Sequence, residues 1–372
     1  MPRVRDVELI TVGPDEVVVT FVTDTAGGAV TRVGDAEVTT TGPYHVARVA
    51  GLEPGARYPL EVEGVAPQEY LPSEVRTLER PPGRLLATIA TANDVHFGET
   101  ECGRLGNALE EELGPVFSSE PGDRPYPEVM NGAVIAEMRA LDPDAVVVKG
   151  DLTNIGLEGE YEAFLAAYGA LGERMHHVRG NHDALTDPTL AAGDAPYHVD
   201  LDGVTLAVVD TVIPGVDQGQ LSHHQVEWLD ELAAATPGPV LVFGHHHLWN
   251  LAADHRSQSY FGINPDDSDA LAAVVARRQN VVGYFAGHTH RNRVRRFPQA
   301  RDVPFCEIAC TKDYPGAWAE YRVYEGGYTQ VVRRTAAPEA MAWSEKTRVM
   351  FAGLYREYAI GPLEHRCFTE QF

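Results

Sequence analysis

From residue 84 onward, short apolar runs recur, and most of them end in a small cluster of polar residues. The runs are Leu85–Ala90, Ala145–Val148, Met175–Val178, Thr205–Val209, Val240–Phe243 and Val281–Phe285. Each has strand length and apolar or β-branched character, and amphipathic stretches separate them. Glu160–Leu171 carries Tyr161, Phe164, Leu165, Tyr168 and Leu171 at helical spacing. Ser222 and Gln225 form a capping-box pattern before Val226, Leu229 and Leu232. Asp266–Arg278 opens with acids and closes with arginines, as a helix dipole prefers. Alternating strands and helices predict an α/β domain.

The polar clusters follow the runs directly. They are Asp94-Val95-His96, Gly150-Asp151, Gly180-Asn181-His182-Asp183, Gly244-His245-His246-His247 and Gly287-His288-Thr289-His290. Ligands of open α/β sheets gather beyond the carboxyl ends of the strands, so clusters far apart in sequence converge on one place. Carboxylate, amide carbonyl and imidazole without cysteine suit Fe, Mn or Zn better than copper or a structural thiolate zinc. The set is large enough for two divalent or trivalent ions. Glycines ahead of Asp151, Asn181, His245 and His288 permit the tight turns that such convergence needs.

The first 80 residues have a different texture. Val17–Val22, Ala29–Val33, Tyr44–Val49 and Tyr58–Val62 read as short strands between Gly, Pro and Asp, which predicts a small all-β sandwich over residues 1–80. Leu52-Glu53-Pro54-Gly55-Ala56-Arg57-Tyr58 resembles the corner of fibronectin type III domains, where the Tyr hydroxyl bonds back to the chain. Arg80-Pro81-Pro82-Gly83 is a stiff linker. A catalytic domain is expected over 84–336, and a C-terminal helix and irregular tail over 337–372.

Charge narrows the partners. Lys and Arg number 30 against 54 Asp and Glu, a net charge of −24. Such a chain is a poor match for a nucleic acid polymer or an anionic membrane. Four scattered cysteines (Cys102, Cys306, Cys310, Cys367) and an N-terminus without a signal-peptide core lead to the expectation of reduced thiols and a cytoplasmic location.

Taken in order, Asp-x-His, Gly-Asp, Gly-Asn-His-Asp, a strand-end His and Gly-His-x-His resemble the calcineurin-like metallophosphoesterases over residues 85–312. The resemblance implies a double-sheet sandwich flanked by helices. It also implies hydrolysis of phosphoesters, small phosphodiesters foremost, by a hydroxide shared between two metals. Asp94, His96 and His290 would hold one ion. Asn181, His288 and a histidine of the triplet would hold the other, with Asp151 bridging. Leu248 stands where the family has a proline two residues after its ligand, which favours His246 over His245. His182 would face the phosphate and protonate the leaving oxygen, and Asp183 would orient it. Readings kept beside this one are a phosphomonoesterase or phosphoprotein phosphatase, and a metal-binding scaffold without turnover.

The pattern departs from the purple acid phosphatases, which carry a Tyr three residues after the bridging Asp; here Asn154 stands there. It is similar to the class III cyclic-nucleotide phosphodiesterase branch. Residues 97–130, with Glu99, Cys102 and Arg104, read as an irregular loop at the site mouth. Asn131 reads as a helix-capping or surface residue with phosphate contact as the alternative, and Lys149 as a partly buried structural cation. His176 and His177 read as core, His223 and His224 as surface. His255, Arg291, Asn292 and the Lys312–Gly316 turn are candidates for the substrate side. The apolar tail (Tyr355, Tyr358, Leu363, Phe368, Phe372) is expected to dock in a core groove, with a second subunit as the alternative partner.

Overall fold

The computed structural model describes residues 3–104, 113–257 and 259–372. Five strands form the N-terminal unit: β1 (Val4–Val12), β2 (Glu16–Val33), β3 (Ala36–Ala50), β4 (Arg57–Val62) and β5 (Glu74–Arg76). They make one antiparallel sheet of order β1-β2-β4-β5, with β3 also paired to β2. The long β2–β3 ribbon changes register between Val22 and Gly27. Its valines, with Phe21 and Leu60, close an apolar core that also takes in Val331 and Cys367 from the far end of the chain. The Tyr58 hydroxyl accepts the backbone N–H of Glu53 at 2.9 Å, the bond expected of that corner.

The rest of the chain contributes β6 (Leu85–Ala92), β7 (Ala145–Lys149), β8 (Met175–Val178), β9 (Tyr197–Leu201), β10 (Val204–Val208), β11 (Val240–Phe243) and β12 (Val281–Ala286). Then come β13 (Arg293–Arg295), β14 (Phe305–Glu307), β15 (Ala317–Tyr324), β16 (Gly327–Arg334) and β17 (Cys367–Gln371). Helices are α1 (Tyr126–Leu141), α2 (Glu158–Tyr168), α3 (His223–Ala235), α4 (Pro265–Arg277), α5 (Pro338–Thr347), α6 (Tyr355–Ile360) and α7 (Leu363–Arg366).

Two six-stranded mixed sheets result, ordered β17-β16-β15-β6-β7-β8 and β13-β14-β12-β11-β10-β9. Between their facing surfaces lie Ile89, Val147, Leu206, Phe243, Phe285 and Tyr321, all fully buried. Each large apolar side chain removed from water this way contributes about 2–3 kcal/mol. Helices α1 and α2 cover the outer face of the first sheet through Val134, Met138, Phe164 and Tyr168. Helices α3 and α4 cover the second through Leu229, Leu271 and Val275. This is the expected α/β sandwich of sheets preceded by an antiparallel β unit.

Two stretches differ from the sequence reading. Residues 126–141, partly assigned to a loop, form α1. Its buried Tyr126, Met130, Val134 and Met138 keep helical spacing after Pro125 and Pro127 start the turn. The tail is also more regular than expected. After α7, residues 367–371 pair antiparallel with β16 and become the edge of the first sheet. The loop reading at 105–112 lies outside the described residues.

The N-terminal unit is fastened to the sandwich by buried polar contacts. The Thr11 hydroxyl donates to the Val332 carbonyl at 2.6 Å. Glu8, fully buried, accepts from Tyr314, Arg348 and Arg356 at 2.7–2.8 Å and faces Arg334 at 3.4 Å. Burial pushes the Glu8 carboxyl up, but Arg334 and Arg348 outweigh it and hold the group below its usual range.

Candidate metal centre and active site

Strands β6, β7 and β8 of one sheet and β11 and β12 of the other release their chains at the same end of the sandwich. Asp94 and His96 follow β6, Asp151 follows β7, Asn181 and His182 follow β8, His245–His247 follow β11, and His288 and His290 follow β12. All are buried except His182 and His290, which are partly exposed.

The backbone there is unusual. Asp94, His96, Asp151, His288 and His290 all have positive φ, from 45° to 68°. Non-glycine residues rarely adopt that region, at a cost of about 1–3 kcal/mol each, and such residues concentrate where function over-determines the chain. The bend lets both residues of Asp94-x-His96 and of His288-x-His290 face inward, which a flat strand forbids. Two glycines make room. A Cβ on Gly150, at φ +82°, would lie 2.5 Å from the His245 ring, and one on Gly287 would lie 2.7 Å from the Asp94 carboxylate.

Three groups of ligand atoms form among the described residues, and two of them gather the expected ligands. Asp94, His96, Asp151 and His290 bring one donor atom each within 4.8 Å of one another. His245, His246 and His288 do the same. Asp151 links the groups, with Oδ2 3.6 Å from His96 Nε2 and Oδ1 3.3 Å from His245 Nε2. His290 Nε2 stands 3.4 Å from Asp94 Oδ1.

Hydrogen bonds aim the lone pairs inward. The Lys149 carbonyl accepts His245 Nδ1–H at 2.8 Å, leaving Nε2 as the nitrogen that faces Asp151 and Asn181. Asn181 Nδ2 donates to Asp217 at 3.2 Å, which turns its carbonyl oxygen to within 3.1 Å of His245 Nε2. Asn181 Oδ1, Asp151 Oδ1 and His245 Nε2 thus point at one another. Such a contact needs a cation between the atoms. Burial lowers the basicity of His245, but Asp151 more than reverses this and raises the pKa to about 9. His96, His246 and His288 are held well below the usual imidazole range by burial, so they are neutral. Their Nε2 atoms are buried without a hydrogen-bond partner, a costly state unless a ligand completes them.

The histidine triplet brings both His245 and the expected His246 into the second group. It is His245 that meets Asn181 and Asp151. His246 has its Nδ1 on the Thr211 hydroxyl at 2.8 Å, and its ring lies 4.5 Å from that of His288. The role expected of Asp183 changes. Its carboxylate accepts the backbone N–H groups of Leu152, Thr153 and Gly180 and the Thr153 hydroxyl, at 2.7–3.1 Å. It therefore fixes the Asp151 loop and does not orient His182. The Asn154 carbonyl does so, accepting His182 Nδ1–H at 2.5 Å. His182 keeps Nε2 toward the centre, its ring edge-on to His96 at 4.6 Å.

Supporting residues were less visible from sequence. Asn93 donates to Asp94 Oδ2 at 2.5 Å and to the Ile308 carbonyl at 3.0 Å, locking the carboxylate. Asn131 holds the Asp94–His96 loop through the Val95 carbonyl at 2.9 Å and itself accepts from Tyr168. Lys149 is fully buried against the Ala286 carbonyl, and burial pushes its pKa down to about 7. The Lys312–Gly316 turn does return to the site: Lys312 pairs with Glu99 at 2.5 Å, and Cys310 and Asp313 lie beside His290. His177 is tied to Tyr161, while His223, His224 and His255 are exposed away from these groups. The adjacency of Asn93 to Asp94 was the signal that could have flagged Asn93 as well.

The family model described as calcineurin-like phosphoesterase matches residues 87–292. A glycerophosphodiester phosphodiesterase, GpdQ, of Enterobacter lignolyticus is 30% identical over 199 residues, covering 47% of this chain and 70% of that protein. A cAMP/cGMP dual specificity phosphodiesterase of Mycobacterium tuberculosis is 31% identical over 167 residues, covering 40% of this chain and 49% of the relative. Among solved structures, a dimetal phosphatase from Danio rerio superposes with a TM-score of 0.52 at 15% identity, over 68% of this chain and 98% of that one. That likeness concerns the fold.

Proposed function

The chain belongs to the calcineurin-like phosphoesterase family, and on that premise we propose that it is a dimetal hydrolase of small phosphodiesters. The observation that carries this reading is the meeting of three buried groups, with Asn181 Oδ1 and Asp151 Oδ1 lying 3.1 and 3.3 Å from His245 Nε2. Asp94, His96 and His290 would hold one ion; Asn181, His245 and His288 would hold the other; Asp151 would serve both. Oxygen and imidazole donors without thiolate fit Fe, Mn or Zn. Such ions supply Lewis acidity and lower the pKa of water.

The protein's own groups do the rest. Asp94 and Asp151 are immobilised by backbone N–H groups of His288 and His182, at 3.0 Å each, so the ligand loops brace one another. His182, anchored through Nδ1, has one nitrogen left to face substrate. As imidazolium it gives its Nε2 proton to the departing alkoxide, general-acid work that is worth about 10²–10⁴ in rate. Buried walls exclude water around these groups and strengthen every charge interaction among them.

Both relatives named above are phosphodiesterases, which supports diesters over monoesters. Four buried free thiols support a reducing, cytoplasmic setting. No helix among the described residues is long and apolar enough to cross a membrane. The Tyr58 bond to Glu53 supports a fibronectin type III-like reading of the N-terminal unit. The test is a comparison of initial rates on bis(4-nitrophenyl) phosphate and 4-nitrophenyl phosphate with Mn-, Fe- and Zn-reconstituted protein. A higher kcat/KM on the diester is expected. Preference for the monoester would make the chain a phosphomonoesterase, and no turnover on either would leave a binding scaffold.

A further inference from the structure

Beside the metal centre the chain gathers positive charge that the proposed chemistry does not use. Arg291, Arg293 and Arg295 alternate along β13 and its approach, so their side chains share one face of the sheet. Their countercharge is Glu307, almost fully buried on the neighbouring β14 in register with Arg293. Arg291 Nε approaches Glu307 at 3.2 Å and Arg295 Nε at 3.3 Å. Arg295 also donates to the Leu248 carbonyl at 2.6 Å, and Arg291 lies over the Tyr358 ring at 5.2 Å. Arg293 makes no side-chain hydrogen bond or ion pair among the described residues.

The patch adjoins the site. The Thr289 hydroxyl, between His288 and His290, donates to Glu307 at 3.0 Å. Phe261, half exposed, holds its ring tilted 4.0 Å from that of His288. Burial and the two neighbouring guanidiniums both lower the pKa of Arg293, while Glu307 opposes them. Three guanidiniums on one carboxylate leave a local excess of about two positive charges in a chain whose net charge is −24. Crowding like charges is unfavourable, and an anion placed on the spare guanidinium relieves it.

Building on the phosphodiesterase reading, we propose that Arg293, supported by Arg291, recognises a second anionic group on the substrate. The diester at the metal centre would carry a carboxylate or phosphate on one alcohol arm, a few bonds from the scissile phosphorus. A guanidinium suits either group, because its fork matches both oxygen pairs. Arg293 is thus a specificity-determining residue.

The test uses matched diesters, 4-nitrophenyl propyl phosphate against its 3-carboxypropyl and 3-phosphonopropyl counterparts, with the metal-loaded full chain. Wild type is expected to prefer the anionic arms about tenfold in kcat/KM, mostly through KM. Arg293→Ala should abolish that preference and keep the propyl ester within twofold. Arg293→Lys should restore part of it, more for the phosphonate than for the carboxylate. A second readout needs no turnover: calorimetric titration of methyl 3-carboxypropylphosphonate and methyl propylphosphonate. The carboxylated ligand should bind about tenfold more tightly to wild type and equally to Arg293→Ala. Equal binding of both ligands by wild type, or equal loss of both in the variant, would overturn the proposal. Discrimination in binding without hydrolysis of any diester would instead break the phosphodiesterase reading and leave the anion site standing.

Discussion

Two buried polar regions of this molecule obey opposite rules. Around Glu8, where the N-terminal unit meets the sandwich, a carboxylate receives a tyrosine hydroxyl and three arginines. Around Asp151, buried acceptors face one another and the Nε2 atoms of His96, His246 and His288 have no partner. In the first region every charge has an opposite charge inside the fold, although Nε of Arg334 and of Arg348 lack hydrogen-bond partners, and the region is architecture. The second is completed only by something brought from outside. Backbone conformation does not separate the two regions: five of the proposed ligands sit at positive φ, and the strand carrying Glu8 has a positive φ at Asp6 and a register shift on each side of Glu8. A site is thus visible as polarity that the fold maintains without using.

Substitutions can break this contrast. The largest effect is expected for Asp151→Asn, which weakens the carboxylate shared by both ligand groups. Turnover should fall by at least ~1000-fold, about 4 kcal/mol of barrier, and metal content by elemental analysis should fall with it. His182→Ala should cost about 10²–10⁴ in kcat while retaining the metal, because that ring faces the centre without belonging to either ligand group. Equal metal loss in the two variants would erase the distinction between ligand and acid. Glu8→Gln should do the reverse, lowering stability by about 3 kcal/mol in chemical denaturation, since Arg334 and Arg348 lose a buried countercharge, with metal content unchanged. Thr11→Val is the mildest: loss of the bond to the Val332 carbonyl should cost about 1 kcal/mol and leave activity intact. A fall in kcat for Thr11→Val would show that the interface and the centre are coupled.

Much of this was legible because strands ending in Gly-Asp or Gly-Asn-His-Asp combine two local signals, apolar period and turn chemistry, with a rule about where sheets place ligands. Asp94, His96, Asp151, Asn181, His288 and His290 converge as that rule requires. What escaped depended on three-dimensional direction. His245 and His246 are adjacent and chemically identical, and only the turn after β11 decides which ring meets Asn181. Asp183 follows His182 in sequence, yet its carboxylate is drawn to three donors of the Asp151 loop and to the Gly180 N–H of its own, and a main-chain carbonyl, invisible to motif reading, takes its expected place. The tail's apolar residues signalled docking, but pairing with β16 is a long-range event that local pattern does not encode. Helix α1 had a readable period that a Pro- and Gly-rich lead-in obscured.

Diffraction from manganese-loaded crystals, recorded above and below the Mn absorption edge, tests the central claim most directly. The account predicts two anomalous peaks, one among Asp94, His96, Asp151 and His290, the other among Asp151, Asn181, His245 and His288. A single peak, a second ion held by His246 with His245 uninvolved, or full occupancy in the Asp151→Asn protein would contradict it.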